Sequence, residues 1–316
     1  MKENSLKVSI ILPTYNGARY VRRSIDSCLN QTYTNMELII VDDGSTDETP
    51  QAIVSYKDSR IKHLRHNENK GLAHALNTGF ANASGDYLTW TSDDNFYDSE
   101  ATEKMLIFLR GEKCEFVYCD FYRFRHENPA DLKIVRLPDV PELKKNNSIG
   151  ACFLYSRKVR EHTGDYDPDA ALAEDYDYWI RVSKKFPMHH LNEPLYYYGE
   201  HKESLSALFV KQHEVQLAQV LVLIKNNVID ARHAAKLLID IIVETKTLSA
   251  SSMHSHSLPI AILLKLWRRA LLSLHRILAA AQFSRALHEI LRGFETGSIK
   301  LGDAKSSIKK IIANEK

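Results

Sequence analysis

The chain has 316 residues, 44% of them hydrophobic and 26% charged, with 12 Gly and 9 Pro. That composition excludes disordered, collagen-like and low-complexity classes, and at about 150 residues per domain it suggests two domains or one elaborated domain. The net charge of +2 carries no nucleic-acid signature, so no such partner is expected, but it is unevenly spread: residues 258–316 carry +7 and the remainder −5.

Residues 1–7 are polar and lead into an apolar run over 8–13 that is too short for a signal-peptide core. The spacing then predicts a strand over 8–12 and a helix over 20–29 with Val21, Ile25, Cys28 and Leu29 on one face. A second strand follows over 38–41. Ser45 with Glu48 three residues on reads as a capping box that opens a helix to about Tyr56. Strand 61–64, helix 72–83, strand 87–91, helix 99–109 and strand 116–119 continue the alternation. Near-continuous apolar strands separated by helices predict an α/β fold with a mostly parallel sheet covered on both faces. Residues 124–147 form a polar stretch with three prolines, read as a loop or hairpin excursion. Strand 150–155, a helix opening at Glu174 with Trp179, Val182 and Phe186 inward, and an extended run over 194–198 follow. Beyond Leu205 the pattern is all helical, with stripes at Leu217, Val220, Leu221, Ile224 and at Leu237, Leu238, Ile241, Ile242, so the expected division is 1–205 and 206–316.

No apolar run reaches the ~18–20 residues that span a bilayer. The nearest, 258–278, is broken by Lys265, Arg268, Arg269 and Arg276. The expectation is a cytoplasmic protein, soluble or peripheral on the inner face of the plasma membrane. Cys28, Cys114, Cys119 and Cys152 match no zinc or redox spacing and are expected as reduced, buried thiols.

Ligands of a parallel sheet bind beyond the carboxyl ends of its strands. Here those ends are polar: Pro13-Thr14-Tyr15-Asn16, Asp42-Asp43-Gly44-Ser45 and Ser92-Asp93-Asp94-Asn95. An Asp-Asp pair after a strand offers hard oxygen ligands to Mg²⁺ or Mn²⁺, whose shell substrate phosphates complete, although such a pair is also ordinary turn chemistry. Neither G-x-G-x-x-G after the first strand nor a P-loop occurs, which argues against dinucleotide dehydrogenases and P-loop NTPases.

These segments, from Val8-Ser9-Ile10-Ile11-Leu12-Pro13 through Val41-Asp42-Asp43-Gly44-Ser45 to Gly85-Asp86-Tyr87-Leu88 and Ser92-Asp93-Asp94-Asn95, resemble family 2 inverting glycosyltransferases of bacterial surface polysaccharide synthesis. The likeness extends over about 8–206 and implies a GT-A nucleotide-binding domain that transfers sugar from a nucleotide donor. By that resemblance Pro13, Thr14 and Tyr15 line the base and ribose. Asp43 accepts a hydrogen bond from uracil, which favours a UDP-sugar. Asp93 faces the ribose or donor sugar, and Asp94 binds the Mn²⁺ or Mg²⁺ that bridges the diphosphate. Asp175, in Glu174-Asp175-Tyr176-Asp177-Tyr178-Trp179, takes the base position, with Asp177 as the alternative; a helix N-terminus is expected to keep Asp175 ionised. His201 stands where the family often has a metal-binding histidine, while Gly199 stands where a basic residue is common; His189 and His190 are weaker candidates. Asn69, Lys70 and Asn77 fall in the segment that borders the nucleotide in the family, and each is equally a turn or cap residue. The acceptor implied is a glycan or lipid-linked glycan.

The basic face around Lys265, Arg268, Arg269 and Arg276 has two readings: an amphipathic helix on an anionic membrane, or a bundle packed on the catalytic domain or on a second subunit of a homo-oligomer. Two rival functions are a nucleotidyltransferase, which attacks phosphorus and needs no base of the Asp175 type, and a non-catalytic nucleotide-sugar-binding partner protein.

Overall fold

The structure, a computed structural model, describes residues 6–125, 128–201 and 209–230, with 233, 234, 237 and 241. The chain divides into two compact units, Met1–Lys202 and Glu203–Lys316.

The first unit is built on one sheet. Strand β1 (Val8–Thr14) is buried at every position and pairs in parallel with β2 (Met36–Asp42) on one side and β4 (Tyr87–Trp90) on the other. A strand enclosed on both edges and both faces has no solvated side, which is why it reads as a continuous apolar run. Strand β2 pairs in parallel with β3 (Ile61–Arg65). Helices α1 (Val21–Leu29), α2 (Thr49–Val54) and α3 (Leu72–Ala81) supply the crossovers that parallel pairing requires. Helix α1 buries Val21, Ser24, Ile25 and Cys28 against the sheet, close to the predicted face.

Then follow β5 (Phe96–Tyr97), α4 (Ala101–Gly111), β6 (Phe116–Arg125), β7 (Asn128–Val135), β8 (Phe153–Ser156), α5 (Arg157–Thr163), α6 (Glu174–Ser183) and β9 (His189–Glu200). The strand order is β3-β2-β1-β4-β8-β6-β9-β5, with β7 paired to β6. The sheet is parallel from β3 to β4 as expected. Beyond β4 it is mixed, with β8 antiparallel to both β4 and β6, and β9 parallel to β6. Passing through β8 reverses direction twice, so β6 ends at the same edge of the sheet as β1, β2 and β4.

The polar excursion begins as a hairpin, because β6 continues to Arg125 and β7 returns beside it. Two short elements, β5 and α5, are too brief to show a periodicity. The predicted capping box is not formed. Helix α2 starts at Thr49, whose N–H and hydroxyl both donate to Asp47, while Ser45 serves the loop before it. The strand over 194–198 extends to the twelve residues of β9, held at β5 by Tyr197 stacked on Phe96 with centroids 4.5 Å apart.

Two cores cover the sheet. Ile10, Leu12, Ile25, Met105 and Cys119 belong to one cluster with α1 and α4. On Phe116 and Phe153 lies Trp179 of α6, with centroids 5.3 and 4.6 Å away, and this aromatic contact fixes where α6 begins. Phe186, expected on the inner face of that helix, is buried just beyond its end. The four cysteines are free thiols, three of them buried, and burial pushes Cys28 up to about 12. Of the second unit, α7 (Phe209–Lys225) is described and helical, with Leu217 and Val220 buried as predicted, while Leu221 and Ile224 are only partly covered. Leu238, Ile242 and the basic face over 258–278 lie outside the described residues. Among the described residues no helix is long and apolar enough to cross a membrane.

Candidate active site

The carboxyl ends of β1 and β2 are tied into one rim. Asn16, in the left-handed region at φ 54°, donates its N–H to the Ser45 hydroxyl, and its Oδ1 accepts from Thr46 N–H. Asp42 is buried. It accepts from Ser45 N–H at 2.8 Å and pairs with Arg65 at 3.4 Å, so it shapes the turn and is not offered to a ligand. Gly44 has φ +79° and a Cβ there would lie 2.6 Å from the Glu68 backbone, so only glycine fits this turn. Asp43 is 4% exposed and accepts from Gly71 N–H at 2.8 Å and Lys70 N–H at 3.0 Å, with His66 Nδ1 at 2.6 Å. The expected uracil acceptor is therefore already holding the loop before α3, and a base reaches it only through the lone pairs left over. Tyr15, 46% exposed, is open to stack on a ring, whereas Pro13 is buried in the strand.

Thr14 also turns inward, and its hydroxyl donates to Asp93 Oδ2 at 2.5 Å. Burial pushes the Asp93 carboxyl up to about 7; the Thr14 bond opposes this and the charge of Asp94 adds to it. Gly17 lies against that carboxylate, and a Cβ there would sit 2.0 Å from Asp93 Oδ2.

Asp94 and His201 meet, with Oδ2 and Nε2 3.1 Å apart and both side chains largely buried. The Tyr20 ring covers the imidazole at 4.8 Å. Asn95 brings these two sequence-distant residues together by accepting the Gly199 N–H at 2.8 Å in a buried bond. That bond gives Gly199 a role in place of the expected basic residue. Among the described residues no three His, Cys, Asp or Glu side chains converge as a metal cage. The donor set still fits a divalent ion, because neighbouring ligands of an octahedral ion with bonds of ~2.1 Å stand about 3 Å apart and phosphate oxygens can fill the other positions.

Asp175 lies in the first turn of α6 and is partly buried. Oδ2 accepts from the Asn147 amide at 2.7 Å and Oδ1 from Tyr176 N–H at 2.7 Å. The carboxyl is shifted upward from its ordinary value, because burial outweighs both hydrogen bonds. A raised carboxyl is the better proton acceptor near neutral pH, provided it is still ionised there. Tyr166 connects this residue to the acidic loop. It takes the Trp90 indole N–H at 3.0 Å, just before Asp93, and senses the charge of Asp175. Asp177, the alternative base, is fully buried and paired to Arg181 at 2.8 Å.

The other candidates are structural. His190 is sandwiched between Asp120 and Asp139, at 2.9 Å from each, and stacks on Tyr118. Asn77 exchanges two hydrogen bonds with the Tyr166 backbone, and the Asn69 side chain accepts from Gly71 N–H. The contributions of Asn16, Asn95 and Asn147 are legible only in the structure. The one sequence signal for Asn95 is its place directly after the Asp pair.

Glycosyl transferase family 2 matches residues 9–174 of this chain. A glycosyltransferase of Rickettsia prowazekii, RP339, is 37% identical over 196 residues, covering 57% of this chain and 60% of that protein. The chain spans only about a third to two thirds of the length of the Rickettsia relatives it matches. The Escherichia coli UDP-Glc:alpha-D-GlcNAc-diphosphoundecaprenol beta-1,3-glucosyltransferase WfaP is 31% identical over 205 residues, covering 63% of this chain and 80% of that one. Among solved structures, S. aureus TarS 1–349 in complex with UDP-GlcNAc aligns with a TM-score of 0.63 at 16% identity, over 98% of this chain and 93% of that one, which shows a shared GT-A-like fold. With the strand-end carboxylates in the family's order and more than half of the sequence matched, the chain belongs to glycosyl transferase family 2.

Proposed function

We propose that this chain is a metal-dependent inverting glycosyltransferase that moves a hexosyl or N-acetylhexosaminyl group from a UDP-sugar to a hydroxyl of a glycan or lipid-linked glycan. Residues 1–205 form the catalytic part and 206–316 a helical region. The observation that carries this reading is the meeting of Asp94 and His201 at 3.1 Å, across 107 positions of sequence, beside the partly buried Asp93. The resemblance to WfaP, whose name specifies UDP-Glc and a diphospholipid-linked GlcNAc, supports the donor and the acceptor class.

In this reading Tyr15 stacks on the base, Asp43 and Asp93 hold the nucleoside and sugar hydroxyls, and Asp94 with His201 holds Mn²⁺ or Mg²⁺. The bound ion neutralises charge on the departing diphosphate. Asp175 takes the proton of the acceptor hydroxyl, whose oxygen attacks the anomeric carbon from the face opposite the diphosphate. One displacement of that kind inverts the configuration.

The test is sugar release from a panel of nucleotide sugars, with and without Mn²⁺, in the wild type, Asp94→Ala and Asp175→Ala, with product anomers assigned by NMR. Metal-dependent release that both substitutions abolish, with an inverted product, is the expected result. Nucleotidyl transfer, or binding without turnover, would replace this reading by one of its rivals. Membrane contact through the basic residues 258–316, or self-association there, is a separate proposal. Flotation of the full chain with anionic but not neutral vesicles decides the first, and its solution mass the second.

A further inference from the structure

Asn147, whose amide meets Asp175, is only half used. Its Nδ2 donates to Asp175 Oδ2 at 2.7 Å, whereas its Oδ1 is buried and accepts nothing. The orientation of this amide follows from charge. An ionised carboxylate only accepts, so turning the amide over would set oxygen against oxygen. The buried oxygen is therefore left without a donor, one carbon away from the nitrogen that holds Asp175, a situation folded proteins rarely leave unanswered.

The segment that delivers Asn147 is tied down at both ends. At its start the buried Asp120 accepts Leu137 N–H at 2.8 Å and the Arg136 guanidinium at 2.6 Å, and Tyr118 hydroxyl donates to Pro138 C=O. Near its end Tyr176, the neighbour of Asp175, donates its hydroxyl to Leu143 C=O at 2.5 Å, and Glu142 N–H donates to Ser148. The same helical turn thus grips the segment through Tyr176 and is gripped by it through Asn147. A side chain held in this way is set in place before substrate arrives, which is what positioning a reacting group demands.

We propose that Asn147 is the acceptor-binding residue of the site: its amide N–H orients Asp175, and its Oδ1 takes a hydrogen bond from an acceptor hydroxyl adjacent to the one that reacts. The inference rests on Asp175 being the base. Nδ2 and Oδ1 share one carbon, so the atom that holds the base and the atom that waits for a donor are neighbours, as are two hydroxyls on adjacent sugar carbons. The reacting hydroxyl gives its proton to Asp175. Its oxygen bonds to the anomeric carbon, and the carbon–oxygen bond to the diphosphate breaks with its electron pair on the leaving group. The adjacent hydroxyl stays bonded to Asn147 throughout. Burial disfavours ionisation of Asp175 and the Asn147 amide opposes it, while the charge of Asp175 in turn raises its ionisable neighbours Glu174 and Tyr166.

The test compares wild type, Asn147→Ala and Asn147→Asp in the full chain. UDP affinity is measured with Mn²⁺. Turnover is measured with UDP-glucose and an alkyl-diphosphate-linked GlcNAc. The Asp175 carboxyl is followed by ¹³C NMR, assigned with Asp175→Asn. Asn147→Ala should leave UDP affinity unchanged, raise the acceptor KM by ~10-fold or more, and move the Asp175 titration upward by about one to two pH units. Asn147→Asp keeps an oxygen for the acceptor but places a second carboxylate on the base, so it should move the titration further and harm KM less. An unmoved titration, or loss of UDP affinity in step with turnover, overturns the inference. A wild type that neither binds UDP nor releases sugar overturns the underlying glycosyltransferase reading instead.

Discussion

On the parallel side of the sheet, Thr14, Asp43, Asp93 and Asp94 stand within four residues of the ends of strands paired in register, and their mutual placement follows from that pairing. On the mixed side, Asp175 is reached from a helix start, a strap anchored to Asp120 through Leu137, and an edge-to-face aromatic contact of Trp179. The first arrangement needs only strand order to bring carboxylates together. The second needs contacts between segments that share no local pattern. The parallel side is thus fixed by backbone, and the mixed side by side chains.

If that contrast is right, the largest effects come from the reacting groups themselves. Asp175→Asn keeps the shape and removes the base, so turnover should fall by roughly 10³–10⁴ with UDP affinity intact. Asp94→Ala should lower turnover by roughly 10²–10³ and abolish the Mn²⁺-induced rise in UDP affinity, read by calorimetry. Gly17→Ala tests the close packing of the parallel side, since its Cβ would also meet Thr14 Oγ1 at 2.7 Å. It should weaken UDP binding by about 10-fold while the Asp175 titration stays put.

A smaller effect concerns Asp93. Its carboxyl titrates near 7 in the fold and near 4 in the unfolded chain, so the native state holds the proton longer. Stability without metal should then decline as pH rises from about 4 to about 7, and Asp93→Asn should abolish that decline in thermal melts. The smallest is Tyr176→Phe, which leaves Leu143 C=O without its donor. It should cost about 1 kcal/mol in denaturant unfolding and raise acceptor KM slightly, with UDP affinity unchanged.

The parallel half was legible because buried strands are apolar runs and the residues after them are polar. The order Asp43, Asp94, Asp175 and His201 was legible through the family's motifs. The capping box at Ser45 failed because Asp47 offered the helix a nearer acceptor and Asn16 claimed the serine. Burial raises the Asp175 carboxyl against the pull of the helix terminus, since a terminal dipole is local and burial depends on what packs above.

By itself the sequence determined the strands, their parallel succession and the acidic residues at their ends, because periodicity and turn chemistry are local properties. Tertiary structure alone decided that Asp94 meets His201, that Asp177 is neutralised by Arg181, and that Asn147 faces Asp175. Those are contacts across the fold, and their energies depend on burial and on partners that no spacing along the chain records.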